Sequence, residues 1–111
     1  MDHLDLAAIE AAAAIEINNG YIVETPVLDA SPVVQDDSTK VYLKLENLRI
    51  GGCYKMRGVS YCFHQLQDQN HCISTPLVTM SAGNYGKTFA MMAKKMNAKG
   101  VVCMPETAPL D

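Results

Sequence analysis

Two glycine-bearing turns constrain this sequence more than any other feature, because each sits between a short apolar run and a helix-forming run. The first is Gly51-Gly52-Cys53-Tyr54-Lys55-Met56-Arg57-Gly58. It follows the alternating run Val41-Tyr42-Leu43-Lys44-Leu45 and precedes a helix-like stretch from Val59 to Gln67. The second is Ser81-Ala82-Gly83-Asn84-Tyr85-Gly86, between the apolar run Pro76 to Met80 and a helix from Thr88 to Met96. Strand, glycine turn and helix in repeated order predict an α/β chain with parallel strands and right-handed crossovers. Ligands of open α/β sheets sit outside the carboxyl ends of the strands. Both turns are therefore expected at one ligand-binding edge of one sheet.

The remaining segments fit that order. Leu6 to Asn18 is rich in alanine and reads as a helix, with Asn19-Gly20 as its stop. Thr25-Pro26 forces an extended Thr25, and Val27-Leu28 follows as a brief strand. Ser31-Pro32 starts a short helical turn through Val33 to Asp36, and Asp36 to Thr39 is a solvated loop. Val59, Phe63 and Leu66 form one helical stripe, and Phe89, Met92 and Met96 form another, both read as core. Asp68 to Thr75 is a polar loop with Ile73 turned inward, and Val101 to Met104 is a buried strand stopped by Pro105.

Bulk properties exclude several classes of function. With 111 residues, 49% of them apolar, the chain is one domain or part of one and can bury a core. Its net charge of −3 and scattered basic residues give no nucleic-acid footprint. No run is long and apolar enough to span a bilayer. The acidic start Met1-Asp2-His3-Leu4-Asp5 argues against secretory and transit peptides. Cys53, Cys62, Cys72 and Cys103 are widely spaced, which reads as reduced thiols in a cytoplasmic protein. Cys62, His64, His71 and Cys72 match no zinc spacing, so no metal is assigned.

The first turn offers an amine. Lys55 stands at the mouth of a helix, where the positive end of the dipole is expected to lower its pKa. A neutral amine is what attack on a carbonyl requires. The bland reading is a surface lysine beside a tight turn. The second turn admits two readings. Gly86-Lys87-Thr88 resembles the end of a nucleotide-binding P-loop, but that pattern needs glycine where Ser81 stands. Alternatively, the N–H groups from Gly83 onward, with the Ser81 hydroxyl and the Asn84 amide, form a seat for a carboxylate. Gly86 can equally serve close helix packing.

Taken in order, Lys44-Leu45-Glu46-Asn47-Leu48, Gly52 to Gly58, Ser81-Ala82-Gly83-Asn84 and Val101 to Pro105 resemble the fold-type II pyridoxal-phosphate enzymes. The branch is that of threonine/serine dehydratases and serine racemases, and the likeness runs from about Ile9 to Leu110. It implies part of a three-layer, parallel-sheet α/β domain of the tryptophan synthase β-like type. By position, Lys55 matches the lysine that bonds covalently to pyridoxal 5'-phosphate and moves the substrate α-proton. Tyr54 matches a ring that packs on the cofactor, and Asn84 a contact to the cofactor's phenolic oxygen. Ser81, Gly83, Asn84 and Tyr85 match the loop that holds the substrate carboxylate. Racemases of this group resemble one another in a serine where this chain has Ala82, which favours dehydration of serine or threonine to a 2-oxo acid and ammonia.

Cys53, Tyr54 and Tyr85 depart from the usual serine, phenylalanine and histidine. The family's phosphate-seating loop lies beyond these 111 residues, so the resemblance implies the N-terminal part of a homodimeric enzyme, with little activity in this part alone. A serine racemase-like enzyme and a non-catalytic remnant or interaction module are the alternatives.

Overall fold

The computed structural model describes residues 5–20, 22–34, 36, 38–69 and 75–108. The helix α1 spans Leu6–Asn18, the extent that alanine richness predicts. Asp5 caps it by accepting a hydrogen bond from the Ala8 N–H at 2.8 Å. Gly20 ends it at φ 65°, with its N–H donating to the Ile17 carbonyl.

Strands β1 (Val27–Asp29) and β2 (Tyr42–Lys44) follow, separated by a 3-10 turn over Ser31–Val33 where the proline signal placed a short helix. They pair antiparallel, Val27 opposite Lys44 and Asp29 opposite Tyr42. A second 3-10 turn over Glu46–Leu48 leads into the first glycine turn. The helix α2 spans Lys55–Asp68, four residues earlier than the apolar stripe indicated. Its first buried residue is Met56, and Gly58 is tolerated because its position faces open space.

The strand β3 (Leu77–Met80), the helix α3 (Asn84–Lys95) and the strand β4 (Gly100–Cys103) form a strand–helix–strand unit. β3 and β4 pair parallel, Leu77 opposite Gly100 and Met80 opposite Cys103. Asn97, at φ 53°, closes α3 in the left-handed conformation, and the Ala98 N–H returns to the Ala93 carbonyl at 2.8 Å.

The mixed α/β class with parallel pairing therefore holds for β3 and β4. The single parallel sheet does not: among the described residues the strands make two separate pairs. Parallel strands need a crossover, usually a helix. α3 supplies one between β3 and β4, whereas the described residues between β1 and β2 hold only a 3-10 turn, and β2 returns antiparallel to β1. The inward Ile73, His71 and Cys72 lie outside the described residues.

One core joins α2 and α3. Met56, Val59 and Phe63 meet Phe89, Met92 and Ala93, with Leu77 and Val102 packed beneath. The Phe63 and Phe89 rings meet edge to face with centroids 5.3 Å apart.

Candidate active site

The first glycine turn is built on two positive-φ residues, Gly51 at 95° and Gly52 at 72°. A side chain at Gly51 would meet the Thr88 methyl at 3.1 Å and the Met91 sulfur at 3.6 Å. Glycine here lets the turn lie directly on α3. Thr88 is completely buried, and its hydroxyl donates to the Asn84 and Tyr85 carbonyls. Gly51 and Thr88 thus bring the two glycine turns together, although they stand at the ends of strands in different sheets.

Lys55 is the first residue of α2, with Tyr54 as its cap residue. Both side chains are exposed, and the Lys55 amine lies 4.7 Å from the centre of the Tyr54 ring. The expected lowering of the lysine pKa is not found. The Tyr54 hydroxyl, through hydrogen bonding and then its charge, holds Lys55 above its ordinary value. Exposure explains the difference: without burial there is little desolvation to favour the neutral amine.

The second turn is organised by Ser81. Its hydroxyl oxygen accepts from the Gly83 N–H at 3.2 Å and the Gly86 N–H at 2.9 Å. Gly83 is the cap residue of α3, and its carbonyl accepts from the Gly86 and Lys87 N–H groups. The N–H groups of Asn84 and Tyr85 find no acceptor among the described residues, as the first N–H groups of a helix require a partner from outside it. Asn84 is exposed beside them. The Tyr85 ring is tilted 36° to that of Phe89 with centroids 6.4 Å apart, and its hydroxyl is 3.4 Å from that of Thr79. Gly86 serves packing, since a side chain there would meet Ser81 and Val102 at 3.1 Å. Gly86-Lys87-Thr88 is consequently the first part of a helix with a buried threonine, and it offers no hydroxyl for a nucleotide-bound metal.

A polar network that no sequence motif marks as such surrounds the lysine turn. Glu46 accepts from Thr25 at 2.7 Å, from Arg57 through two bonds of 3.0 Å, and from Arg49. The two guanidinium groups hold the Glu46 carboxyl far below the usual carboxylate range. Nearby, the buried Glu16 accepts from Ser60; burial pushes its pKa up, and the Ser60 bond and the charge of Arg57 oppose that shift. Glu46 and Arg57 lay within motifs already singled out, but only the fold shows that they meet.

Of the metal candidates, His64 makes other contacts. His64 is 3.1 Å from the Asp68 carboxylate and 3.4 Å from the Asn19 amide. Among the described residues no three His, Cys, Asp or Glu side chains cluster as metal ligands. Cys53, Cys62 and Cys103 are free thiols. No helix among the described residues is long and apolar enough to cross a membrane.

Comparison with known proteins agrees with this geometry. The model of the family described as pyridoxal-phosphate dependent enzyme matches residues 19–111. The chain is 34% identical over 102 residues to the catabolic L-threonine dehydratase TdcB of Staphylococcus aureus (strain N315), covering 91% of this chain and 28% of that protein. It is 36% identical over 89 residues to serine racemase of Dictyostelium discoideum, covering 80% of this chain and 27% of the relative. Among solved structures, a pyridoxal 5'-phosphate-dependent aspartate racemase superposes with TM-score 0.83 at 26% identity, over 98% of this chain and 33% of the other. The chain thus spans under a third of the length of the curated relatives it matches.

Proposed function

The chain belongs to the pyridoxal-phosphate dependent enzyme family, and from that membership we propose that it is the N-terminal part of an ammonia-lyase acting on L-serine or L-threonine. The observation that carries this reading is that the turn bearing the exposed Lys55 packs through Gly51 on Thr88 of α3, whose first N–H groups, at Asn84 and Tyr85, find no acceptor among the described residues. An amine and a helix N-terminus suit an aldehyde cofactor and an amino-acid carboxylate respectively.

In this reading Lys55 Nζ is the point of covalent attachment and the group that takes the α-proton. The Asn84 and Tyr85 N–H groups hold the substrate carboxylate, with the Asn84 side chain beside the cofactor ring. Ser81 keeps that seat in shape through its bonds to Gly83 and Gly86. Tyr54 lines the cofactor side of the lysine. Bound pyridoxal phosphate supplies an electron sink for the pair left on the α-carbon. Loss of the β-hydroxyl as water would leave an enamine, and its hydrolysis by water would give the 2-oxo acid and ammonia. Ala82 has no group that can return a proton on the opposite face, which favours elimination over racemisation.

The dehydratase, racemase and ammonia-lyase relatives all act on amino acids by their names. A small amino acid is therefore the substrate class we assign, in a complete enzyme that is a homodimer in the cytoplasm.

The test is reduction with borohydride after mixing the chain with pyridoxal phosphate, followed by peptide mapping. One stoichiometric adduct on Lys55 is expected. Adducts spread over the seven lysines, or none, would overturn the assignment of Lys55. Because Tyr54 keeps the amine protonated, trapping at Lys55 should accelerate as pH rises toward the lysine range. Ammonia release from serine or threonine by the 111-residue chain should be slight; rapid release would show that this part suffices for catalysis.

A further inference from the structure

We propose that Glu46 is the positioning residue of the lysine turn, its single carboxylate fixing both ends of the segment that carries Lys55. Arg49 stands at the start of that segment and Arg57 two residues after the lysine. Both guanidinium groups converge on Glu46: Arg57 at 3.0 Å to each oxygen, and Arg49 through Nε to one oxygen and through Nη2 to the other at 3.3 Å. Thr25 donates to the same carboxylate at 2.7 Å, and the Lys44 amine donates to the Thr25 carbonyl. The carboxylate is thereby tied to the end of β2 and to the chain just before β1.

The segment needs such a clamp. Between the two arginines lie Gly51 and Gly52, both at positive φ, and nothing lies within 4 Å of the position a Gly52 side chain would occupy. Glycine has the largest conformational freedom of any residue. Along this stretch the Gly52 N–H donates to the Arg49 carbonyl at 2.8 Å and the Arg57 N–H to the Tyr54 carbonyl at 3.1 Å. Gly51 rests on Thr88, but Lys55 itself is exposed, with its amine over the Tyr54 ring. The two ends also differ in character. The Arg49 side chain is 2% exposed and anchors the turn to the interior, whereas that of Arg57 is 40% exposed. Charge-assisted, two-point bonds fix direction as well as distance. Releasing Glu46 would free both ends of the segment together, and with them the position of the Lys55 amine.

This inference concerns the same site as the proposed function and rests on it only for the meaning of the lysine. The test reads hydrogen exchange along the chain and, separately, the share of reductive pyridoxal phosphate labelling that falls on Lys55 rather than Lys87. Glu46→Gln should speed exchange at Gly52 and Arg57 about tenfold while Phe89 to Ala93 keep their protection. Arg57→Gln removes only the exposed arm and serves if Glu46→Gln fails to fold. It should loosen Arg57 and leave Gly52 protected. Arg57→Lys, which keeps the charge but cannot fork, should restore part of that protection. The Lys55 share of labelling should fall in step with the exchange.

Unchanged exchange in these variants, or an equal rise in α3, overturns the clamp. The two readings fail separately. Labelling scattered over many lysines in the unsubstituted chain would sink the cofactor assignment while the exchange data still judge the clamp. A single Lys55 adduct that survives Arg57→Gln with unchanged exchange would sink the clamp and leave the cofactor assignment standing.

Discussion

The region before Lys55 and the region after it are held together by different physics. From α2 onward the chain is organised by an apolar core: every residue of the buried cluster, from Met56 to Ala93, belongs to α2 or α3. Before α2 polar side chains share the interior with apolar ones: Glu16, Thr25 and Arg49 are buried alongside Ile22, Ala30 and Cys53. Many of its large apolar residues face outward, with Leu6, Ile9, Val27, Leu28, Tyr42 and Leu43 all exposed. The strand pair β1–β2 is exposed along its whole length. A core gives cohesion without direction, whereas charged bonds to a single carboxylate give direction at small net energy. The lysine turn lies at the seam between the two. That is where a reactive side chain gains from a rigid support on one side and a directional tie on the other.

The sharpest way to break the comparison is Phe63→Ala. It removes the fully buried ring that meets Phe89, and should cost about 4 kcal/mol. Chemical denaturation should show α2, α3 and the parallel strand pair lost together. If the loss stayed confined to α2, the single-core description would be wrong.

Gly86→Ala is the next test. The added methyl would meet Ser81 and Val102 at 3.1 Å, which should cost about 2 kcal/mol. It should also disturb the bonds from Gly83 and Gly86 to Ser81. A stability curve that does not move would mean that α3 shifts freely over β4.

Acid should weaken the earlier region before it reaches the core. Glu46 has its folded pKa depressed below the ordinary 4.5. Its contribution, about 2 kcal/mol, is therefore complete above pH 4.5 and fades as pH falls toward the depressed value. Asp36, lowered to about 2 by bonds from Thr39 and Ser38, behaves with the same sign. Glu16 acts oppositely. Its raised pKa means that ionising it costs stability as pH climbs through and above 4.5. Hydrogen exchange at Gly52 and Arg57 should rise at acid pH before exchange at Phe89 does, and the reverse order would refute the contrast.

The smallest effect belongs to Asp5→Ala, which removes the cap bond to Ala8. About 1 kcal/mol should be lost, seen as fraying of α1 with the core unaffected.

Much of this was legible in the sequence, for identifiable reasons. The extent of α1 follows from alanine propensity and the Asn19-Gly20 stop. The positions of β3 and β4 follow from apolar runs bounded by turn residues, but both strands are largely exposed and not the buried strands their apolar character indicates, and α3 begins at Asn84, four residues before Thr88. The two glycine turns marked the candidate site because glycine is required where backbone must approach closely, and Gly51 on Thr88 bears this out. The early start of α2 was hidden because Gly58 breaks the helical pattern that Met56 begins. The polar network was hidden for a different reason. Glu46 and Arg57 are separated by ten residues and Glu16 and Ser60 by more, and no periodicity links such pairs.

The sequence by itself determined the local elements, the family and the candidate residues, since these depend on propensity, turn chemistry and motif order. The tertiary structure alone decided three matters. The strands divide into an antiparallel and a parallel pair, because only α3 provides a crossover within a pair. Lys55 is exposed, with its amine held above and not below its ordinary pKa, because burial depends on neighbours distant in the chain. Glu46 meets Arg49, Arg57 and Thr25 at one point, because only folding converts distance along the chain into distance in space.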